Sequence, residues 1–436
     1  MERKKIIMIA MIASILIGAT TITIVVVYNY PKGDKDQDIE GLLENVFQAD
    51  DAEELGTYFH FYFKLQVPME YLLYGIERFK AHYGEFQYAR AIAVDIDVYN
   101  YHSVMENGNI TGIIGLANNN LINQFFIGCG PFLESYLSSF TLNNITDEFI
   151  DFPDGGNKSL LITRDEIVMC NSTTGEKQAV GSTFKLYVLK ALREKITTDP
   201  QVNWTTEIPI LDKLKSLPSG VMHTWANGTM VSLETLANYM MEISDNTATD
   251  HLIQFLNRSY IESFLPLDYS IPLLKTADMF KLRYLVNNTD LTTYLAMDPT
   301  AKRTYLDDIV YELDIDDIPL LFLDPWENIA MEKEVEWYFT TTQVAQVIND
   351  VKDLNATRRS LGCALVNQWE AVAYKGGSNV GVLSLAHAVQ AKNGTWYTVI
   401  MFINNYIKPA LDYSLVNFDI DFQILCAKLL MFLAAQ

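Results

Sequence analysis

The chain has 436 residues, 49% of them hydrophobic and 20% charged, which is length enough for two or three domains and excludes wholesale disorder. Its formal net charge is −22. So acidic a surface repels nucleic acid phosphates, and no basic stripe offsets it, which argues against a nucleic-acid partner.

The first five residues, MERKK, are basic at +2 and leave −24 for the remainder. An uncharged run from Ile6 to Tyr28 follows. At a rise of about 1.5 Å per residue it spans a hydrocarbon core of about 30 Å. The charge placement predicts a single-pass anchor with a cytoplasmic N-terminus and an extracellular body; the alternative is a cleaved signal peptide. Ten Asn-x-Ser/Thr sequons, from Asn109 to Asn393, fit a glycosylated exterior. The four cysteines, Cys129, Cys170, Cys363 and Cys426, form no C-x-x-C, which excludes zinc-ribbon and thioredoxin readings. One or two disulfides remain open, and the apolar runs around Cys170 and Cys426 suggest inert buried thiols. The six histidines lack metal-ligand spacing, so no metal or other cofactor is expected.

Residues 31–39 read as a polar linker. Residues 40–128 then read as a small α+β domain. Its run QVPMEYLLYGIERFKAHYG has helical spacing ending at Gly84, and strands follow with a turn at Asn107–Gly108. From 129 to 436 the pattern is a second domain. Two strands meet near Asp165–Glu166, with a further turn at Thr174–Gly175, and a helix begins near Ser182. Residues 205–355 are mostly helical in pattern, VGVLSLAHAV and TWYTVIMFIN read as strands, and IDFQILCAKLLMFLAA reads as a closing helix. Strands at both ends with helices between them imply one sheet joining distant parts of the chain.

Ser182 and Lys185 lie three apart, so a helix puts hydroxyl and amine on one face. Alone, the pair fits a capped helix with a surface lysine equally well. Ser244-Asp245-Asn246 follows 62 residues after Ser182, and Lys375-Gly376-Gly377 follows a strand-like run. Singly these too have ordinary readings: Asp245 as a structural residue, Asn246 as a turn residue, Lys375 as a charge guarding a strand edge. Jointly and in order they match the S-x-x-K, S-D-N and K-T-G set of class A β-lactamases and penicillin-binding proteins.

The resemblance extends to TTGEKQAVGSTFKLYVL and to the segment LPSGVMHTWANGTMVSLETLANYMMEISDNTATDHLI. With the preceding domain, LLKTADMFKLRYL and EVEWYFTTTQVAQVI, the chain resembles the two-domain branch typified by a protein of the clavulanic acid biosynthetic cluster. The resemblance implies an α/β (α+β) serine β-lactamase-like fold. That fold is an antiparallel sheet flanked by helices, with an inserted helical subdomain, preceded by an isomerase-like α+β domain; the transmembrane anchor read from the apolar run precedes both. It implies Ser182 as nucleophile, Lys185 as base and Ser244 as proton relay. It assigns Asn246 to a substrate amide or to orienting Lys185, and Lys375 to a substrate carboxylate. Gly377 would let the backbone pass close to substrate, and the amides of Ser182 and Ser378 would form the oxyanion hole. The substrate would be a small acyl compound: a β-lactam, an ester or a peptide. A D-alanyl peptidase and a protein that acylates without turnover are the rivals.

Two departures stand out. No E-x-x-L-N follows Ser244, and Asp278 is the only acid in LLKTADMFKLRYL. Gly376 replaces the usual hydroxyl residue. Both leave serine acylation in place and predict poor β-lactam hydrolysis.

Overall fold

The run ending at Gly84 forms a helix, Met69–Tyr83. Leu72, Ile76, Phe79 and Tyr83 recur at three- or four-residue spacing and are buried. Gly84 ends the helix at φ +77°, where a Cβ is disfavoured. This computed structural model describes residues 38–436 apart from 65–66, 96, 118–119, 152–155, 173–175, 218, 268, 270, 319–334, 366, 380 and 405–417. The expected membrane segment, most of the linker and the Thr174–Gly175 turn lie outside the described residues. Among the described residues no helix is long and apolar enough to cross a membrane.

The chain divides into two units. The first comprises Met1–Asp154, Cys363–Gln368 and Pro409–Gln436. Its sheet is an antiparallel meander of β1 (Phe86–Asp95), β2 (Val98–Met105), β3 (Gly108–Leu116) and β4 (Ile122–Phe132). The β2–β3 hairpin turns on Glu106–Asn107, with Met105 paired to Gly108, one residue before the expected position. Gly108 answers to crowding rather than to the turn, since a Cβ there would lie 2.7 Å from Pro131 O. The expected domain boundary at 128/129 falls inside β4.

The apolar C-terminal run forms the helix Phe418–Ala434, but it belongs to this first unit rather than closing the second domain. It packs on Met69–Tyr83, β4 and the helix Leu142–Ile150. Every residue from 420 to 431 is buried. Its charges are paired there. Asp421 accepts from Arg78 at 2.8–2.9 Å and lies 2.7 Å from His82 Nε2, and Lys428 donates to Glu148 at 2.7 Å.

The second unit comprises Gly155–Gly362 and Trp369–Lys408. β5 (Asn157–Arg164) and β6 (Ile167–Ser172) form a hairpin over Asp165 and Glu166, both at positive φ, as a tight two-residue hairpin requires. Cys170, expected in the core, is half-buried because β6 is an edge strand. β7 (Gln178–Ala179) leads into the Ser182 turn, and β8 (Glu207–Pro209) pairs with β9 (Met230–Ser232). β10 (Tyr338–Phe339) pairs with β7. β11 (Ala371–Asn379), β12 (Val382–Gln390) and β13 (Trp396–Asn404) complete a five-stranded antiparallel sheet in the order β11-β12-β13-β5-β6. The sheet thus joins strands from both ends of the unit, as the sequence pattern requires. The helix Lys185–Thr198 is sunk in the core on both flanks through Leu186, Val188, Leu189 and Leu192.

Candidate active site

Ser182 sits half-buried in a 3₁₀ turn, Gly181–Phe184, which runs straight into the helix Lys185–Thr198. The hydroxyl and the Lys185 amine therefore lie within one turn of each other. β12 fixes that turn. Thr183 Oγ1 is 2.6 Å from Ser384 Oγ, which in turn donates to Val180 O at 2.7 Å.

Lys185 is fully buried, contrary to its ordinary reading as a surface lysine. Its Nζ donates to Ser244 O at 2.6 Å, to Ser244 Oγ at 3.1 Å and to Asn246 Oδ1 at 2.7 Å. Ser244 lies between the helices Leu233–Glu242 and Asn246–Leu256, at φ +58°. A residue bearing a Cβ pays about 1–3 kcal/mol for such a conformation and holds it only under tertiary constraint. Here the twist lets one residue offer Lys185 both its carbonyl and its hydroxyl. Asp245 is structural. It is buried, caps the second helix through Ala248 N at 2.8 Å, and accepts Val221 N and Met222 N at 2.7 and 2.8 Å.

Lys375, on β11, reaches the same hydroxyl from the other side. Its Nζ donates to Ser244 Oγ at 3.0 Å and to Gly376 O at 2.6 Å. Two buried amines thus share one serine oxygen. Burial lowers the Lys185 pKa to about 7, against the pull of Asp245 and Asp250. Burial also drives Lys375 well below the usual lysine value, and the neighbouring Lys185 pushes it the same way. Two ammonium ions at this spacing repel, so near neutral pH the pair favours fewer than two protons. An amine without its extra proton can accept one from a hydroxyl. The gathered groups are amines, hydroxyls and amides rather than the carboxylates, imidazoles and thiolates that commonly ligate protein metals.

Gly377 brings β11 against the Ser182 turn. A Cβ on it would lie 2.1 Å from Val180 O and 2.7 Å from Ser182 N. From the opposite side, a Cβ on Gly181 would lie 3.0 Å from Ser378 N. The backbones of the residues around Ser182 and Ser378 are therefore in close contact. Gly377→Ala is expected to destabilise the unit by about 1–3 kcal/mol through overpacking. It should also slow labelling of Ser182 by an acylating probe at least tenfold. A variant with unchanged melting temperature and labelling rate would show that the strand can yield.

Asp278 does not face outward as a free base. It accepts Lys275 N at 2.8 Å and Arg258 at 3.0 Å, at the start of its own helix, Thr276–Tyr284. That helix nonetheless borders the site: Thr276 Oγ1 donates to Asn246 O at 3.3 Å, and Met279 Sδ is 3.9 Å from Asn379 Nδ2. Sequence reasoning missed Glu336 and Asn379. Glu336 is fully buried and accepts from Asn379 at 2.5 Å and from Arg283 at 3.3 Å. A lone acid in the apolar run VEWYF was the available signal.

A family profile described as Beta-lactamase enzyme family matches residues 162–266, the segment that holds Ser182, Lys185, Ser244 and Asn246. No curated protein matches the chain. Among solved structures, a point mutant of PBP-A, titled an acyl-enzyme complex with penicillin-G, is 16% identical, with 67% of this chain and 96% of that one covered at a TM-score of 0.37. A β-lactamase from Sphaerobacter thermophilus is 17% identical, with 66% and 98% covered at 0.38. A class A β-lactamase representative from Bacteroides cellulosilyticus is 13% identical, with 68% and 100% covered at 0.42.

Proposed function

We propose that the chain is a β-lactamase-like serine acyl-hydrolase that forms an acyl-enzyme on Ser182 with a β-lactam, an ester or a peptide. The observation that carries this reading is that buried Lys185, Asn246 and Lys375 meet half-buried Ser244 in one hydrogen-bonded group, with Lys185 one helical turn from Ser182. Neutral Lys185 takes the Ser182 proton as Oγ attacks the acyl carbon. The amides of Ser182 and Ser378 hold the oxyanion. The proton then passes by way of Ser244 to the leaving nitrogen or oxygen, and the acyl bond breaks. Water later releases the acid and restores Ser182.

Steady-state hydrolysis of an activated ester tests this. Activity should vanish in Ser182→Ala. In the native protein, kcat/KM should rise with pH about tenfold per unit below 7 and level off above it, because only uncharged Lys185 accepts the proton and its pKa lies at about 7. Equal activity in Ser182→Ala, or a rate that falls as pH rises through 7, would overturn the assignment.

A second reading, a protein that acylates but scarcely turns over, is favoured by the engagement of Asp278 in its own helix cap. The body is proposed to lie outside the cell on the anchor predicted at Ile6 to Tyr28. Protease added to intact cells should digest it, and full protection would refute that placement.

A further inference from the structure

We infer that Glu336 is a positioning residue for the oxyanion hole, holding the residues that flank its two amides from one buried carboxylate. The inference rests on the acyl-hydrolase reading above. Its basis is connectivity. Gly181 precedes Ser182, and Asn379 follows Ser378. Glu336 accepts Asn379 Nδ2 at 2.5 Å, and the Gly181 amide hydrogen-bonds the same carboxylate. The remaining ligands anchor the acid itself: Trp337 N at 3.1 Å and Arg283 at 3.3 Å, with Arg283 also donating to Val335 O at 3.2 Å.

The backing is stiff. Both side chains of the Arg283–Glu336 pair are at most 1% exposed. The Trp337 ring stacks on Phe184 at 4.0 Å, and Val180 N donates to Trp337 O at 3.0 Å. β10 continues this by pairing with β7, so residues 336–339 run alongside 178–181. Burial raises the Glu336 pKa, while Arg283 and the three hydrogen-bond donors resist that change. Every contact points away from a role as a base: the carboxylate is spent on protein donors. What remains is spacing. An oxyanion hole works only if its donors sit where the negative oxygen forms, and errors below 1 Å matter.

The test uses the full chain and two variants, Glu336→Gln and Asn379→Ala. Gln keeps the size of Glu336 but removes its charge and one acceptor. Asn379→Ala leaves the ion pair intact, so it reports even if the first variant fails to fold. The readouts are the rate of Ser182 acylation by an activated ester and the affinity of a boronic acid, which forms a tetrahedral adduct on the serine. Each folded variant should acylate at least tenfold more slowly and lose boronate affinity by a similar factor, with KM for the ester little changed. A merely structural role would lower melting temperature without moving the two readouts in parallel. Reactive native protein with folded variants that acylate and bind boronate equally well overturns this inference alone. Native protein that takes no probe on Ser182 overturns the underlying reading, and this inference with it.

Discussion

Lys185→Ala should lower kcat/KM for ester substrates by about 10²–10⁴-fold, the usual weight of a general base. The variant removes the one amine that both lies a turn from Ser182 and titrates near neutrality. Lys375 cannot replace it. The charge of Lys185 helps to keep the Lys375 pKa low, so its removal lets that pKa rise and leaves Lys375 more fully charged. Ser244→Ala should cost no more than this, because it breaks the relay but leaves the base. Truncation also strands Ser244 O and Asn246 Oδ1, so folding must be checked by circular dichroism before rates are compared. A folded Lys185→Ala protein with an unchanged rate would remove Lys185 from the mechanism.

A penicillin-type probe that binds should leave a long-lived adduct on Ser182, and activated esters should turn over faster than β-lactams. Release of the acyl group needs a water and a base within about 3 Å of it. The carboxylates around the site are already engaged. Asp278 holds Lys275 N and Arg258, Asp250 holds Thr276 N and Ala277 N, and Asp245 holds three amides. A barrier higher by about 2.7 kcal/mol slows release about 100-fold. Intact-protein mass spectrometry after a short pulse of probe reads the adduct directly. Rapid penicillin hydrolysis without an adduct would mean that another group activates the water.

The site was legible in the sequence wherever chemistry is tied to local spacing. Ser182 and Lys185 needed one helical turn, and the segment containing Ser244 to Asn246 needed one break between helices. The helix Met69–Tyr83 was legible from its apolar period and its terminal glycine. Glu336 was not: a lone acid in the apolar run VEWYF hints at burial but does not name its partners, and Arg283 and Asn379 lie 53 and 43 residues away. The home of Phe418–Ala434 was hidden for a related reason. A predominantly apolar helix with a few scattered charges has no single polar face from which to infer what it packs against. The sequence left open what Asp278, the only acid in LLKTADMFKLRYL, does; in the structure it accepts Lys275 N and Arg258 at the start of its own helix.

The helix Phe418–Ala434 sets an order of events during synthesis. The chain leaves the first unit at Asp154, makes most of the second, rejoins the first only over Cys363–Gln368, and returns finally at Pro409. The partners of Asp421, Arg78 and His82, are made more than 300 residues earlier. The meander and its helices must therefore wait, lacking one wall of their core, while the second unit emerges. Closing so long a loop is slow, and until it closes, apolar surface is open to other chains. A stop codon shortly before Phe418 would accordingly strike the early-made unit hardest, leaving Ser182 and its neighbours on a part of the chain whose sheet is already complete.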